Sequence, residues 1–210
     1  MSGKPRSGQP SAVPAGRLSV IVTYLEMKAP PGHAPLPRPA GDVTLLRANP
    51  PTASFYRYLY DTVGEPWLWN ERRRLPHGEL TAIVADPRVE VWVLYVDGTP
   101  AGYAEIDRRG QSRGEATDLA YFGLIPDYIG RKLGPWLLDS AVRLAWEGGA
   151  RRLVVNTCSF DHPKALPLYL SMGFTPVRHV AREIQDPRLA GWLPRSAAPQ
   201  IPINRSHQES

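Results

Sequence analysis

A glycine-flanked basic turn leads into an apolar segment in the stretch PDYIGRKLGPWLL, residues 126–138. Gly130 and Gly134 are four residues apart, and Arg131 and Lys132 lie between them. A helix N-terminus has backbone N–H groups without intrahelical partners and a partial positive charge, so it binds phosphate when the incoming loop lets the ligand approach. The spacing therefore indicates a phosphate site, although two glycines alone also fit a plain turn and a closely packed helix.

A second group of reactive residues lies in the stretch CSFDHP, where Cys158, Asp161 and His162 are close in sequence. They can be interpreted as a Cys/His nucleophilic pair. We expect instead that Asp161 caps a helix opened by Pro163 and that Cys158 is a small buried apolar residue.

The elements that position these residues form an alternating α/β pattern. Asp97 and Gly98 tolerate positive φ and predict a hairpin turn between two alternating runs. Apolar periodicity and caps predict the other elements. We expect strands over residues 17–27, 42–48, 115–125, 151–160 and 174–184, and helices over residues 52–63, 67–75, 77–85, 135–149 and 162–173.

Composition excludes several classes of protein. The chain has 210 residues, 42% of them hydrophobic, and six Trp, which is enough for the core of one domain. One cysteine excludes internal disulfides, and five histidines without ligand spacing predict no metal. No apolar run approaches the roughly 18 residues of a membrane span, and we see no targeting segment. We expect a cytoplasmic protein with no membrane partner.

The net charge of +5 is largely peripheral. We predict that residues 1–16 are disordered, that residues 17–184 form the domain, and that residues 185–210, rich in Pro, Ser and Arg, form a flexible tail. ERRRL, residues 71–75, is the only basic run inside the domain. Because no recognition motif accompanies that run, nucleic-acid binding is kept as an alternative and not as the expectation.

The order of hairpin, strand, glycine-flanked loop, amphipathic helix, strand and ALPLYLSMGF resembles the GNAT superfamily of acyl-CoA-dependent N-acetyltransferases across residues 17–184. LIPDYIGRKLGPWLL is similar to the family's pyrophosphate loop, and Ala165, Tyr169, Gly173 and Phe174 match its A-x-x-x-Y-x-x-x-G-F pattern. The resemblance implies an α/β (α+β) fold with a mixed, mostly antiparallel twisted sheet, flanked by helices and splayed between its fourth and fifth core strands.

The resemblance also implies that acetyl-CoA lies in the opening of the sheet, its pantetheine along the strand before the loop and its pyrophosphate on the loop amides. Two positions besides Lys132 depart from the family's pattern: Ile129 stands where the family usually has Gln or Arg, and His162 stands where it often has Asn. The cofactor-binding residues implied are Phe122, Gly123, Leu124, Ile129, Gly130, Arg131, Lys132, Leu133, Gly134 and His162.

Lys132 replaces the first signature glycine of the family's loop. If the backbone there needs positive φ, a lysine costs on the order of 1 kcal/mol or blocks the ligand. If it does not, Lys132 adds a phosphate contact. We expect the second case, because Gly130 and Gly134 are kept.

Amine attack on a thioester needs a neutral amine, a polarised carbonyl and a proton for the leaving thiolate. Tyr169 matches the tyrosine that the family places near the thioester sulfur, and we expect it to be the general acid, with a buried core tyrosine as the alternative. Glu105 in GYAEID is the first candidate for the base, and Asp118 in TDLAY is its rival. Strand parity leaves both open, and each is also compatible with a solvated strand position.

We therefore expect an N-acetyltransferase that moves an acetyl group from acetyl-CoA to a primary amine in a ternary complex. The expected partners are acetyl-CoA and the amine, with no nucleic acid; a homodimer and the identity of the acceptor are left open. The alternatives are a non-catalytic acyl-CoA-binding sensor, suggested by Lys132, and a nucleic-acid-binding protein. The early aromatic residues form either an acceptor pocket or plain core: Tyr56, Tyr58, Tyr60, Trp67 and Trp69.

Overall fold

A computed structural model describes residues 13–204. The predictions of a disordered N-terminal segment and a flexible C-terminal tail fall partly on residues 1–12 and 205–210, which lie outside the described residues. The elements are β1 (Arg17–Met27), β2 (Val43–Ala48), α1 (Ala53–Gly64), α2 (His77–Val84), β3 (Val89–Val96), β4 (Thr99–Asp107), β5 (Thr117–Leu124), α3 (Leu133–Glu147), β6 (Leu153–Cys158), α4 (Ala165–Ser171) and β7 (Thr175–Gln185). In the described part, no helix is long and apolar enough to cross a bilayer.

The seven strands form one open sheet in the order β2-β3-β4-β5-β6-β1-β7. All neighbours are antiparallel except β5 and β6, which are parallel and pair only at Thr117 with Leu153 and at Asp118 with Val154. Beyond these two pairs the strands diverge. They are the fourth and fifth core strands when β1, which inserts between β6 and β7, is not counted. The predicted mostly antiparallel, splayed sheet is confirmed.

Local sequence signals account for several boundaries. The Thr52 hydroxyl accepts a hydrogen bond from the Phe55 N–H at 3.2 Å and caps α1. Asp97 and Gly98 have φ angles of 49° and 73°, which the turn between β3 and β4 requires. Gly149, with φ of 84°, follows the end of α3, the longest helix among the described residues.

The sheet is covered on both faces. α3 and α4 bury Leu137, Leu138 and Tyr169 on one face. α1 and α2 bury Tyr56 and Leu80 on the other. Each apolar side chain removed from water in this way stabilises the fold by roughly 1.5 to 3 kcal/mol before entropy is counted. The helices therefore hold the two halves of the sheet while the gap between β5 and β6 stays open at one end.

The helix predicted over residues 67–75 is not formed. A single 3-10 turn, Glu65–Trp67, follows α1, and Leu68 then adopts a left-handed conformation with φ of 61°. The Trp69 N–H donates to the Gly64 carbonyl at 3.1 Å, and the Trp69 ring leaves no space for a side chain at Gly64. Because the chain reverses here, residues 68–75 form a loop instead of a second helix.

The segment after β7 corrects the prediction of a flexible tail, as far as residue 204. Asp186 and Arg188 are almost completely buried and pair at 2.8 Å. Leu193 and Ala197 pack in one apolar cluster with Leu18 of β1. The composition of this segment is typical of a mobile tail, but the buried ion pair and the apolar residues give it a fixed path.

Candidate functional site

A cleft of about 700 Å³ lies where β5 and β6 diverge. One wall is β5 from Leu119 to Leu124, and the opposite wall combines β6, the adjoining face of β1, and α4. The loop before α3 and the loop of residues 67–71 close its two ends. Since β5 has no partner on this side after Asp118, its backbone N–H and C=O groups are free to pair with an extended ligand. Phe122, Gly123 and Leu124, the residues predicted to pair with the cofactor, all line the cleft.

The loop before α3 has the properties of an anion site. Within the described chain, none of the backbone N–H groups of residues 130–134 donates a hydrogen bond to a protein acceptor. Gly130 has φ of 88° and needs to be glycine. A Cβ on Gly134 would lie no closer than 3.8 Å to Leu124, so packing within the protein does not explain this glycine. Free amides beside open space fit a phosphate group.

Lys132 corrects the sequence interpretation. It has φ of 60° and ψ of 20°, so the position does require the left-handed conformation that favours glycine. Its side chain nevertheless lines the cleft together with Ile129 and Leu133. Arg131, in contrast, does not line the cleft; its guanidinium stacks on the Tyr128 ring at 4.8 Å.

Tyr169 of α4 lies in the cleft wall. Its ring packs edge to face against Phe122 at 6.1 Å and Phe174 at 5.8 Å between centroids. No described residue hydrogen-bonds to its hydroxyl. Burial raises the pKa of Tyr169, and the carboxylates of Asp161 and Asp118 raise it further. The phenol is therefore neutral near pH 7 and keeps a proton that it can donate.

Glu105, the first candidate for the base, does not reach the cleft. Its side chain is fully buried and accepts hydrogen bonds from the Tyr56 hydroxyl and, at 2.5 Å, from the Arg72 guanidinium. Burial raises the pKa of Glu105, and Arg72 and Tyr56 oppose part of that rise. A carboxylate in this position fixes the loop that carries Arg72 and is too deep to touch an acceptor.

Asp118, its rival, lies at the last pair between β5 and β6, and its side chain is not among those lining the cleft. Burial raises the pKa of Asp118 to about 6, and the nearby carboxylates of Asp107 and Glu105 add to the rise. Asp118 is thus ionised at neutral pH and more basic than an exposed aspartate.

Glu71 is a cleft residue that the sequence reasoning did not identify, because it was interpreted only as part of a basic run. Its Oε2 accepts a hydrogen bond from the Tyr60 hydroxyl at 3.1 Å, and in the described chain it forms no ion pair. Trp69 and Tyr121 line the cleft beside it, with ring centroids 5.2 Å apart. A carboxylate among aromatic rings suits a cationic amine.

The predicted aromatic pocket is divided between the core and the cleft. Tyr56 and Tyr60 are completely buried, Tyr58 is exposed, and Trp67 and Trp69 line the cleft. The first two therefore belong to the core, while the two tryptophans remain available to a substrate.

The Cys/His pair is not formed. Burial raises the pKa of Cys158 to about 12, with a further contribution from the carboxylate of Asp161. His162 Nδ1 accepts a hydrogen bond from the Lys164 N–H at 3.1 Å, and its ring packs against Trp67. His162 lines the cleft, and its contact with the cofactor stays a prediction.

Asp161 does not cap α4. Its Oδ2 accepts hydrogen bonds from the Thr157 hydroxyl and the Cys158 N–H, both at 2.8 Å, and its Oδ1 accepts one from the Trp69 indole at 3.3 Å. Asp161 thus connects β6 to the loop of residues 67–71 across the cleft.

The basic run of residues 71–75 is engaged within the protein. Arg72 pairs with Glu105, Arg73 pairs with Glu65 at 3.3 Å, and the Arg74 guanidinium lies 3.7 Å above the Trp192 ring. These contacts leave no free basic patch in the run, so it does not support the alternative of nucleic-acid binding.

Comparison with known proteins gives a consistent result. The sequence profile of the acetyltransferase (GNAT) family matches residues 51–174, more than half of the chain. No curated protein sequence matches with significance.

Among solved structures, similar folds include a GCN5-related N-acetyltransferase from Sphaerobacter thermophilus (TM-score 0.57, 17% identity, covering 82% of this chain and 53% of that one). A GCN5-related N-acetyltransferase from Kribbella flavida has a TM-score of 0.54 and 21% identity, covering 84% of this chain and 63% of that one. The aminoglycoside acetyltransferase meta-AAC0020 from an uncultured soil metagenomic sample has a TM-score of 0.52 and 14% identity, covering 62% of this chain and 87% of that one. At these identities the similarity shows the fold, and the chain spans less than two thirds of the length of the first two structures.

Proposed function

Because this chain belongs to the acetyltransferase (GNAT) family, we propose that it transfers an acetyl group from acetyl-CoA to a primary amine by direct attack in a ternary complex. One observation carries the proposal: a single cleft is lined both by Gly130, Lys132, Leu133 and Gly134, whose amides are free, and by Tyr169, whose hydroxyl has no partner among the described residues. Acetyl-CoA, when bound, supplies a thioester that is activated toward an amine.

The residues that would hold acetyl-CoA follow the two walls of the cleft. The amides of residues 130–134 and the ammonium of Lys132 receive the pyrophosphate, with the N-terminus of α3 behind them. The free edge of β5 at Phe122 and Leu124 receives the pantetheine as a strand would be received. His162, at the opposite wall, contacts the same arm.

Tyr169 is the proposed general acid. In the transfer, the amine nitrogen, already free of its ammonium proton, bonds to the acetyl carbon, the carbon–sulfur bond breaks, and the sulfur receives a proton from Tyr169. The nitrogen releases a second proton as the amide forms, and that proton restores the Tyr169 hydroxyl through solvent. The Tyr169 hydroxyl supplies the proton that the sulfur receives, since its raised pKa keeps it protonated and no other group holds it. A thiolate is a good leaving group, so this help is modest compared with that needed by an alkoxide.

Glu71 is the proposed acceptor of the ammonium proton. It lines the cleft, has a carboxylate oxygen without a partner in the described chain, and lies beside Trp69 and Tyr121. Asp118 is the alternative base, because its pKa of about 6 lies above the ordinary aspartate value of 3.8. It needs a water molecule to connect it to the cleft. Glu105 is a structural residue in this proposal.

A thiol-release assay with acetyl-CoA tests the function. The amines are tryptamine, spermidine, L-phenylalanine, kanamycin and a lysine-containing peptide, with calorimetric titration of CoA in parallel. Turnover with any amine supports the proposal. CoA binding without turnover would favour a non-catalytic acyl-CoA sensor, for which the strained Lys132 is the motive. Absence of both would reject the acyl-CoA site.

We also propose a cytoplasmic location, because a chain with a single cysteine lacks the internal disulfides typical of small secreted domains. Nucleic acid is not a proposed partner, since the one internal basic run is paired within the protein. A homodimer is neither required by the cleft nor opposed by it.

A further inference from the structure

The segment that follows β7 folds back behind the acceptor side of the cleft. Its anchor is the pair formed by Asp186 and Arg188, which are 0% and 3% exposed. Arg188 Nη1 also donates hydrogen bonds to the carbonyl oxygens of Ala197 and Ala198, both at 3.3 Å, and of Ile201 at 2.7 Å. A buried guanidinium that satisfies three carbonyl groups closes residues 188–201 into a fixed loop.

This loop contacts the segment that carries Trp67, Trp69 and Glu71. Gln200 Nε2 donates a hydrogen bond to the Pro66 carbonyl at 2.5 Å. The Trp192 ring lies under the Arg74 guanidinium at 3.7 Å. The two contacts hold the segment at both of its ends.

Between these ends, Leu68 is held by packing. Leu68 is 4% exposed and forms one apolar cluster with Leu193, Ala197 and Ala198. Phe160 and Ile184, which line the cleft as Leu68 does, pack against the same cluster. The wall of the cleft therefore has the C-terminal loop directly behind it.

The conformation of Leu68 shows why support is needed. Its φ of 61° is unfavourable for a branched L-residue and persists only when the surroundings hold it. Leu68 is the turning point that directs Trp69 and Glu71 into the cleft. Without the contacts behind it, residues 65–75 would relax and the acceptor wall would lose its shape.

We propose that residues 186–201 are a specificity element: they position Trp69 and Glu71 and thereby determine the affinity for the acceptor amine. The inference rests on the function proposed above. Because Trp67, Trp69 and Tyr121 line this side of the cleft beside the Glu71 carboxylate, the acceptor selected is an amine with an apolar or aromatic body. Arg188 and Trp192 are positioning residues, since neither lines the cleft.

The test compares Trp192→Ala and Arg188→Ala with Arg195→Ala, a matched control that removes an exposed cation from the same loop. Hydrogen exchange measures residues 65–75, with residues 130–138 as an internal reference. We expect exchange in residues 65–75 to be about tenfold faster in Trp192→Ala than in the control, and unchanged in the reference. Arg188→Ala leaves Asp186 buried without its cation and risks unfolding. If Arg188→Ala does not fold, the result for Trp192→Ala alone tests the inference.

Kinetics with the most active amine of the thiol-release panel complete the test. We expect the KM for the amine to rise about tenfold in Trp192→Ala, while the Kd for CoA changes less than about twofold. The KM for tryptamine should rise more than the KM for spermidine, because the wall that relaxes is aromatic. An unchanged amine KM, or an equal loss of CoA affinity, would overturn the inference while leaving the proposed function intact. A protein that binds CoA but acetylates no amine would overturn the proposed transfer, and this inference with it.

Discussion

The Phe122 ring on β5 and the Tyr169 ring on α4 meet edge to face across the cleft, with centroids 6.1 Å apart. Phe122 belongs to the strand whose free edge is proposed to pair with acetyl-CoA, and Tyr169 carries the hydroxyl proposed to protonate its sulfur. This contact fixes the distance between β5 and α4, because Tyr169 belongs to the core beneath α3 and Phe122 packs against that core.

Tyr169→Phe tests the acid. The ring and its contacts with Phe122 and Phe174 are kept, so we expect the fold and the KM for acetyl-CoA to change little. The kcat should fall by about tenfold or more, since the hydroxyl matters chiefly as the sulfur becomes negative. Steady-state kinetics with a single-turnover control measure this. An unchanged kcat, with chemistry rate-limiting, would remove Tyr169 from the mechanism.

Glu71→Gln tests the base, with Glu79→Gln on α2 as its control, because both carboxylates are exposed and only Glu71 lines the cleft. We expect the kcat/KM for the amine to fall by about 100-fold, within the range typical of a lost general base, with no change in CoA affinity. If Asp118→Asn and not Glu71→Gln produced that loss, Asp118 would be the base.

The raised pKa of Asp118 also predicts how Asp118→Asn changes the free energy of unfolding. Its folded pKa of about 6 exceeds the ordinary value of 3.8, so the folded state holds the proton more tightly and the free energy of unfolding falls as the pH rises from about 4 to about 6. At about 1.4 kcal/mol for each tenfold change, the cost above pH 6 is up to about 3 kcal/mol. We expect Asp118→Asn to stabilise the protein at pH 8 more than at pH 4. An equal effect at both pH values in chemical denaturation, measured beside the exposed Asp127→Asn, would contradict this.

Lys132 has two separable effects: its left-handed backbone conformation lowers stability, and its ammonium is proposed to contact a CoA phosphate. Because its φ is 60°, we expect Lys132→Gly to be about 1 kcal/mol more stable to denaturation than Lys132→Ala. Both variants lose the ammonium, so CoA affinity should fall about fivefold in each, and the loss should shrink as salt rises. Tighter CoA binding by Lys132→Gly than by the unchanged protein at physiological salt would show that the strain, and not the charge, controls the site.

The sequence predicted the elements whose signals are local. The hairpin at Asp97 and Gly98 depends on two adjacent residues, and the glycine-flanked loop before α3 depends on the order of Gly130, Gly134 and the helix after them. Tyr169 was identified through the A-x-x-x-Y-x-x-x-G-F spacing and His162 as a departure from the family's usual Asn, and both line the cleft. These features hold because neighbouring residues decide them.

Features decided by distant contacts were not predicted. Helical spacing places Asp139 on the charged face of α3, yet it is only 2% exposed. It pairs with Arg143 and accepts a hydrogen bond at 2.9 Å from the N–H of Leu36, which lies in the loop between β1 and β2. The fixed C-terminal loop depends on Arg188 reaching three carbonyl groups, which no composition reveals. Glu105 failed as a cleft residue because strand parity cannot tell the two faces of a sheet apart when both are buried.

The central claim, that the loop before α3 binds the pyrophosphate of acetyl-CoA, is tested most directly by calorimetric titration of CoA into the unchanged protein and into Gly134→Asp. A side chain there has room within the protein, since the nearest atom is 3.8 Å away, but it would put a carboxylate beside the phosphate site. The control is Gly78→Asp on α2, where a side chain meets nothing within 4 Å. We predict a loss of at least about 100-fold in affinity for Gly134→Asp and none for the control, since opposed like charges cost several kcal/mol. Unchanged CoA affinity in a folded Gly134→Asp protein would contradict the account.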